Sequence, residues 1–177
     1  MNLVSSAINN KSIPDTLIQI IHDFPGIRYK ELSRLTGLCN GVLSYYLKLL
    51  DNTGRVKINR INNRVTRYYS NDVSDEESTI LGILRQNTTR KILIYILENG
   101  PCGFTNIVEY TNKVPSTVSW HLTKLKDANL IKIYKQNDCN RYDIFIDKMV
   151  LYNILSKYNA SFNDVVIENY IEMLEEF

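Results

Sequence analysis

Leucine and valine recur at spacings of four and three in two places 75 residues apart. Leu43, Leu47 and Leu50 form one set, and Val118, Leu122 and Leu125 the other. Positions i, i+4 and i+7 share one face of an α-helix, so each set marks the buried side of an amphipathic helix, over about 40–52 and 115–127. The same order of elements surrounds both. A first helix, over about 15–23 or 89–98, stops at a breaker, Pro25-Gly26 or Gly100-Pro101. A shorter helix over about 29–36 or 104–111 follows, with Leu32 and Leu35 in one copy and Ile107 and Tyr110 in the other. The turns "TGLCN" and "TNKVP" lead into the third helix, where Pro115 suits a first turn that needs no N–H. Two alternating runs come next, "RVKIN" and "RVTRYYS" around "RINN", then "LIKIYK" and "RYDIFI" around "QNDCN". Each pair predicts a β-hairpin.

Residues 16–58 lie over 91–133 without a gap. Ile21 falls on Ile96, Thr36 on Thr111, Ser44 on Ser119, Leu47 on Leu122, Leu50 on Leu125, and Lys57-Ile58 on Lys132-Ile133. Two copies are too few for a solenoid, so the repeat predicts two related small domains. Helix, helix, turn, helix, hairpin is a winged helix-turn-helix. Three short helices cannot stand alone and pool their apolar faces, and the hairpin caps that core. The expected fold class is mainly α with small β-hairpins (α+β): two tandem winged helix-turn-helix domains plus linker and C-terminal helices. The boundaries expected are 1–73 for the first domain, 74–88 for a connecting helix, 89–146 for the second domain and 147–177 for C-terminal helices. In the connecting helix Ser74 and Glu77 make a capping box ahead of Ile80, Leu81 and Leu84. Beyond the second hairpin, "DKMVLYNILSKYNA" reads as one helix, and a last one can begin at Ser161 as N-cap. Its stripe of Val166, Ile167, Tyr170, Ile171 and Leu174 is expected to dimerise, the alternative being packing onto the chain's own second domain.

Composition changes this picture little. With 177 residues, 44% hydrophobic and 23% charged, the chain is globular. It has no apolar run long enough for a membrane helix and no secretory pattern at its start. Cys39, Cys102 and Cys139 are widely spaced, with no C-x-x-C pair, which predicts free thiols in a reducing cytoplasm and no metal site. Charge matters more. The net +2 hides two basic blocks: 28–70 holds nine Lys/Arg against two acids, and 89–142 holds eight against four. The segments 71–88 and 143–177 are acidic. Each basic block is a candidate polyanion surface.

Helical stepping places the candidate chemistry. With Val118 inward, Ser116, Trp120 and Thr123 point outward, flanked by Ser119 and Lys124. In the first copy Gly41, Tyr45 and Lys48 point outward, with Ser44 at the edge. Hydroxyls and lysines reach phosphates or base edges, aromatic rings contact thymine methyls or sugars, and small residues at the start (Gly41, Ser116-Thr117) let the backbone approach. The competing reading is that Trp120 and Tyr45 pack on a neighbouring domain or subunit. His121 falls near the core side and is expected to be packed and hydrogen-bonded. The first wing carries Arg55, Lys57, Arg60, Arg64 and Arg67 without an acid, and Arg60 and Arg64 bracket its tip. The second has Lys132, Lys135 and Arg141 beside Asp138 and Asp143. A merely solvated charged hairpin is the alternative.

The stretches "LRQNTTRKILIYIL" and "PSTVSWHLTKLKDANLI" resemble the arsenic-repressor-like (ArsR/SmtB-type) winged-helix regulators. The residues that carry the likeness are Ser116, Val118, Ser119, His121, Leu122, Leu125, Leu130 and Ile131. From about residue 15 onward the chain is similar to archaeal tandem winged-helix transcriptional regulators. That resemblance implies sequence-specific binding of double-stranded DNA by a cytoplasmic homodimer. Metal-sensing members carry Cys-x-Cys near the second helix or His/Asp ligands on the last helix. Here only Cys102 lies near the former, and the last helix offers Asp164 and Glu168 without histidine, so neither metal nor cofactor is expected. A protein-interaction winged-helix module in a transcription or chromatin complex is the alternative function. An enzyme is not expected, because no glycine-rich phosphate loop, nucleophile elbow or metal-ligand pair is present.

Overall fold

The computed structural model describes residues 12–61 and 65–162. It divides into two compact units between Ser78 and Thr79. The first contains α1 (Ile13–Asp23), β1 (Ile27–Arg28), α2 (Tyr29–Thr36), α3 (Asn40–Asn52), β2 (Val56–Ile61) and β3 (Val65–Ser70). The division falls within α4 (Asp75–Leu84). The second contains α5 (Asn87–Asn99), β4 (Cys102–Gly103), α6 (Phe104–Thr111), α7 (Pro115–Asp127), β5 (Ile131–Gln136), β6 (Cys139–Ile144) and α8 (Lys148–Phe162). Each unit holds a winged helix-turn-helix arrangement, three helices (α1–α3 or α5–α7) and a three-stranded antiparallel sheet in the order β1-β3-β2 or β4-β6-β5, and the second unit adds α8.

Local chemistry sets the ends. Ser12 caps α1, its Oγ accepting from the Asp15 N–H at 3.3 Å, and Pro14 sits in the first turn. The Arg28 N–H donates to Glu31 at 2.8 Å ahead of α2, and the Gly103 N–H to Asn106 at 3.2 Å ahead of α6. Both of these helices end in a left-handed residue, Gly37 or Asn112. The Ser74–Glu77 capping box forms in both directions at 3.1 Å. A two-residue turn at Asn137 and Asp138, both at positive φ, closes β5–β6. That turn is tighter than "QNDCN" suggested, because left-handed Asn and Asp match the twist of a two-residue hairpin.

The two cores are built from corresponding residues. Leu17, Ile21, Leu32, Leu43, Leu47, Leu50, Val56 and Tyr68 are buried in the first unit. Ile92, Ile96, Ile107, Val118, Leu122, Leu125, Ile131 and Tyr142 occupy the same places in the second. The repeat therefore runs into the return strand. Tyr68 pairs with Ile27 and Tyr142 with Cys102, so the offset drops from 75 to 74 across the shorter second turn.

Three features depart from expectation. β1 and β4 add an unforeseen outer strand to each hairpin, since two residues are too few to show alternation. Strand β6 starts at Cys139, before the predicted run. Ser161 does not start a helix. It lies inside α8, and its hydroxyl donates to the Tyr158 carbonyl at 2.6 Å. Asp147 caps that helix instead, accepting from the N–H groups of Met149 and Val150 at 2.7 and 3.2 Å. The dimerisation residues Val166, Ile167, Tyr170, Ile171 and Leu174 lie outside the described residues.

Candidate nucleic-acid interface

The inward leucines of α3 and α7 orient what those helices present outward. On α7, Ser116, Ser119, Trp120 and Thr123 are exposed, and Thr117 and Lys124 are half-buried. Lys124 Nζ lies over the Trp120 ring, 4.1 Å from its centroid. An ammonium over an aromatic face is attracted by the ring's negative face. The Thr123 hydroxyl donates to the Ser119 carbonyl at 3.0 Å, so its proton is used within the helix and its methyl and lone pairs remain. On α3, Gly41, Ser44, Tyr45 and Lys48 are exposed. Tyr29 of α2, which the sequence pattern did not single out, contacts both the Asn40 carbonyl and Ser44 Oγ at 2.9 Å and ties α2 to α3. Lys30 and Arg34 on α2 and Lys113 in the second turn are further exposed cations.

The hairpins separate the predicted wing residues. Arg60 is exposed near the tip of β2, and Lys135 is exposed on β5. Arg64 lies outside the described residues. Lys57 bends back to the Val73 carbonyl and Asp75, both at 2.9 Å. Arg55 stands 3.6 Å from Asp15, and Lys132 stands 3.1 Å from Asp143. Arg141 is half-buried, facing Gly103 across β4–β6.

Arg67 corrects the expectation. It is 3% exposed, and its Nη1 donates to the Gly26 carbonyl at 2.6 Å. Burial lowers its pKa from the usual arginine value. Strand β1 pairs with β3 at Arg28–Arg67, and the Arg67 side chain turns to the Gly26 carbonyl just ahead of β1 and not to solvent. Arg67→Met should therefore cost about 1–3 kcal/mol of stability by leaving the Gly26 oxygen unpaired, with an unchanged salt dependence of duplex binding. Arg60→Ala should do the reverse, lowering the salt slope by about one with an unchanged melting midpoint. Thermal melts by circular dichroism and salt titrations of a labelled duplex measure both. A changed slope in Arg67→Met would return that residue to the interface.

His121 is buried behind this face, its Nδ1 2.7 Å from Thr89 Oγ1 and its ring edge-on to Trp120 at 4.8 Å. Burial first, and the Lys124 charge second, push its pKa below the ordinary 6.5. The folded unit then resists a proton that the unfolded chain accepts. Its contribution is complete above pH 6.5 and is lost as pH falls from there through the lowered folded value. The second unit's melting midpoint, read by fluorescence of the single tryptophan, should drop between pH 7 and pH 5.5. His121→Gln should flatten that drop, and an equal drop in both proteins would exclude this origin.

Among the described residues, no group of three or more His, Cys, Asp or Glu converges, and no helix is long and apolar enough to cross a membrane. Cys102 is buried, and Cys39 and Cys139 are exposed free thiols.

Comparison with known proteins falls on the same elements. Over 131 residues the chain is 27% identical to an uncharacterized HTH-type transcriptional regulator of Methanocaldococcus jannaschii. The alignment takes in 74% of this chain and 32% of that protein, so the chain spans about a third of its relative's length. Residues 87–132, from α5 to the first residues of β5, match the family described as bacterial regulatory protein, arsR family. The segment that holds Trp120 and Lys124 on α7 is therefore similar to the helix-turn-helix region of the arsR-family regulators.

Proposed function

We propose that this protein is a transcriptional regulator that binds double-stranded DNA sequence-specifically. In this reading α3 and α7 enter major grooves, and the hairpins β2–β3 and β5–β6 lie along the flanking backbone. The observation that carries it is a coincidence: the arsR-family match covers α7, the helix whose outward side holds hydroxyls, an indole and an ammonium ion over that indole. Hydroxyls and ammonium suit phosphates and base edges, and the basic blocks supply the sequence-independent attraction. The first test is fluorescence anisotropy of a labelled mixed-sequence duplex with the full chain. Binding at ~50–100 mM salt that weakens steeply and linearly in log–log form is expected. No binding to any duplex in that range ends the proposal.

The regulator is proposed to act as a homodimer in the cytoplasm. The apolar pattern of Val166, Ile167, Tyr170, Ile171 and Leu174 supports this, because such a stripe needs a partner. Deleting 163–177 should halve the mass seen by light scattering, and an unchanged mass would remove those residues from the dimer contact.

A further inference from the structure

The third helices of the two units share a register and differ in what they present. Stepping 75 residues from α3 to α7 takes Val42 to Thr117, Tyr45 to Trp120 and Leu49 to Lys124. The α7 set is a hydroxyl, an indole and an ammonium. The α3 set is a row of apolar and aromatic side chains, with Val42 37%, Tyr45 64% and Leu49 40% exposed. Spacings of three and four line them up along one side of the helix.

Polar groups that could read bases are scarce on that side. Gly41 has no side chain. Ser44 is tied back to α2, its Oγ 2.9 Å from the Tyr29 hydroxyl, which also lies 2.9 Å from the Asn40 carbonyl. Lys48 is the one basic residue of α3.

We infer that α3 selects thymine, with Val42, Tyr45 and Leu49 covering C5-methyl groups in the major groove. This rests on the duplex-binding reading above and adds which base α3 prefers. In the major groove thymine alone of the four bases presents a methyl group, and guanine and adenine present acceptors that want donors. A row poor in donors gains little from purine edges and gains by removing methyls from water. The occupant is DNA and not a second copy of the chain because of charge. The block 28–70 holds nine Lys/Arg against two acids, and Lys30, Arg34, Lys48 and Arg60 are exposed. Two copies meeting through α3 would set like charges together, whereas a polyanion complements them.

The test takes duplexes enriched from a random pool by the full-length protein and remakes them with deoxyuridine in place of thymidine, which deletes only the methyl. Affinity is expected to fall about three- to fivefold for each methyl in contact. The triple variant V42S/Y45S/L49K, altered only at these exposed positions, is expected to lose about three- to fivefold of the deoxyuridine penalty for each methyl it no longer covers, with its helical circular dichroism retained. Equal wild-type affinity for both forms overturns the inference while leaving duplex binding intact. A deoxyuridine penalty undiminished by the triple substitution also overturns it. Should V42S/Y45S/L49K halve the mass seen by light scattering and keep the full penalty, the row joins two copies and the inference is wrong. If no duplex is bound at ~50–100 mM salt, the proposed function falls and this inference falls with it.

Discussion

Replacing Trp120 by alanine is expected to weaken duplex binding ten- to hundredfold, about 1.5–3 kcal/mol, with little change in the melting midpoint. The side chain is 52% exposed and contributes little to the core beneath α7. Its partners are the Lys124 ammonium at 4.1 Å and the edge of His121 at 4.8 Å. Removing the ring thus deletes an aromatic contact and also the face on which the Lys124 ammonium rests, so the two residues should couple. Lys124→Met alone should cost less, and the double variant less than the sum of the two single losses. Anisotropy titrations at fixed salt measure the affinity, and circular dichroism follows folding, since the variant has no tryptophan left. Unchanged affinity alongside the loss of a protein assembly would move α7 from DNA reading to protein docking.

The second large effect falls on stability. Arg90→Ala should lower the stability of the second unit by roughly 3 kcal/mol. Arg90 is buried, and its Nη1 donates to the Leu84 carbonyl at 2.6 Å, at the C-terminal end of α4. Its guanidinium lies 5.0 Å from the centre of the Phe162 ring, and Arg85 lies 5.2 Å from the same ring. Arg85 in turn donates to the Ser161 carbonyl of α8 at 2.7 Å. Arg90 thus caps the end of α4, where the carbonyls and the macrodipole favour a cation, Arg85 reaches a carbonyl of α8, and the two share one aromatic ring. Alanine removes the cap, the ring contact and the packed stem together. Arg90→Lys should fall between wild type and alanine, because an ammonium keeps the charge and loses the planar stack. Urea unfolding followed by Trp120 fluorescence measures the change in the unit concerned. A shift below about 0.5 kcal/mol would show that water satisfies Leu84 without the arginine.

Both effects bear on what a sequence can reveal. The limits of α2, α3, α6 and α7 were legible because each follows from short-range chemistry: leucine spacing, a proline in the first turn, a glycine or asparagine past the end. His121 was placed correctly because its angle to Leu122 and Leu125 is fixed by one helix. The outward set on α7 was legible for the same reason. Arg67 was not. Its hairpin is rich in arginine, and only pairing with β1, some 40 residues earlier, turns it from the surface to the Gly26 carbonyl. Arg90 counted toward a basic block, yet it meets Phe162 inside the unit. Ser44 read as a hydroxyl open to DNA, yet its Oγ lies 2.9 Å from the Tyr29 hydroxyl of α2.

By itself the sequence determined the repeat, the helix limits and the apolar faces that fold each unit, since periodicity and capping act over one to four residues. Tertiary structure alone decided which cations and hydroxyls stay available to a ligand. A polar group's partner is chosen by the elements packed around it, and those meet across tens of residues that carry no local signal of the encounter.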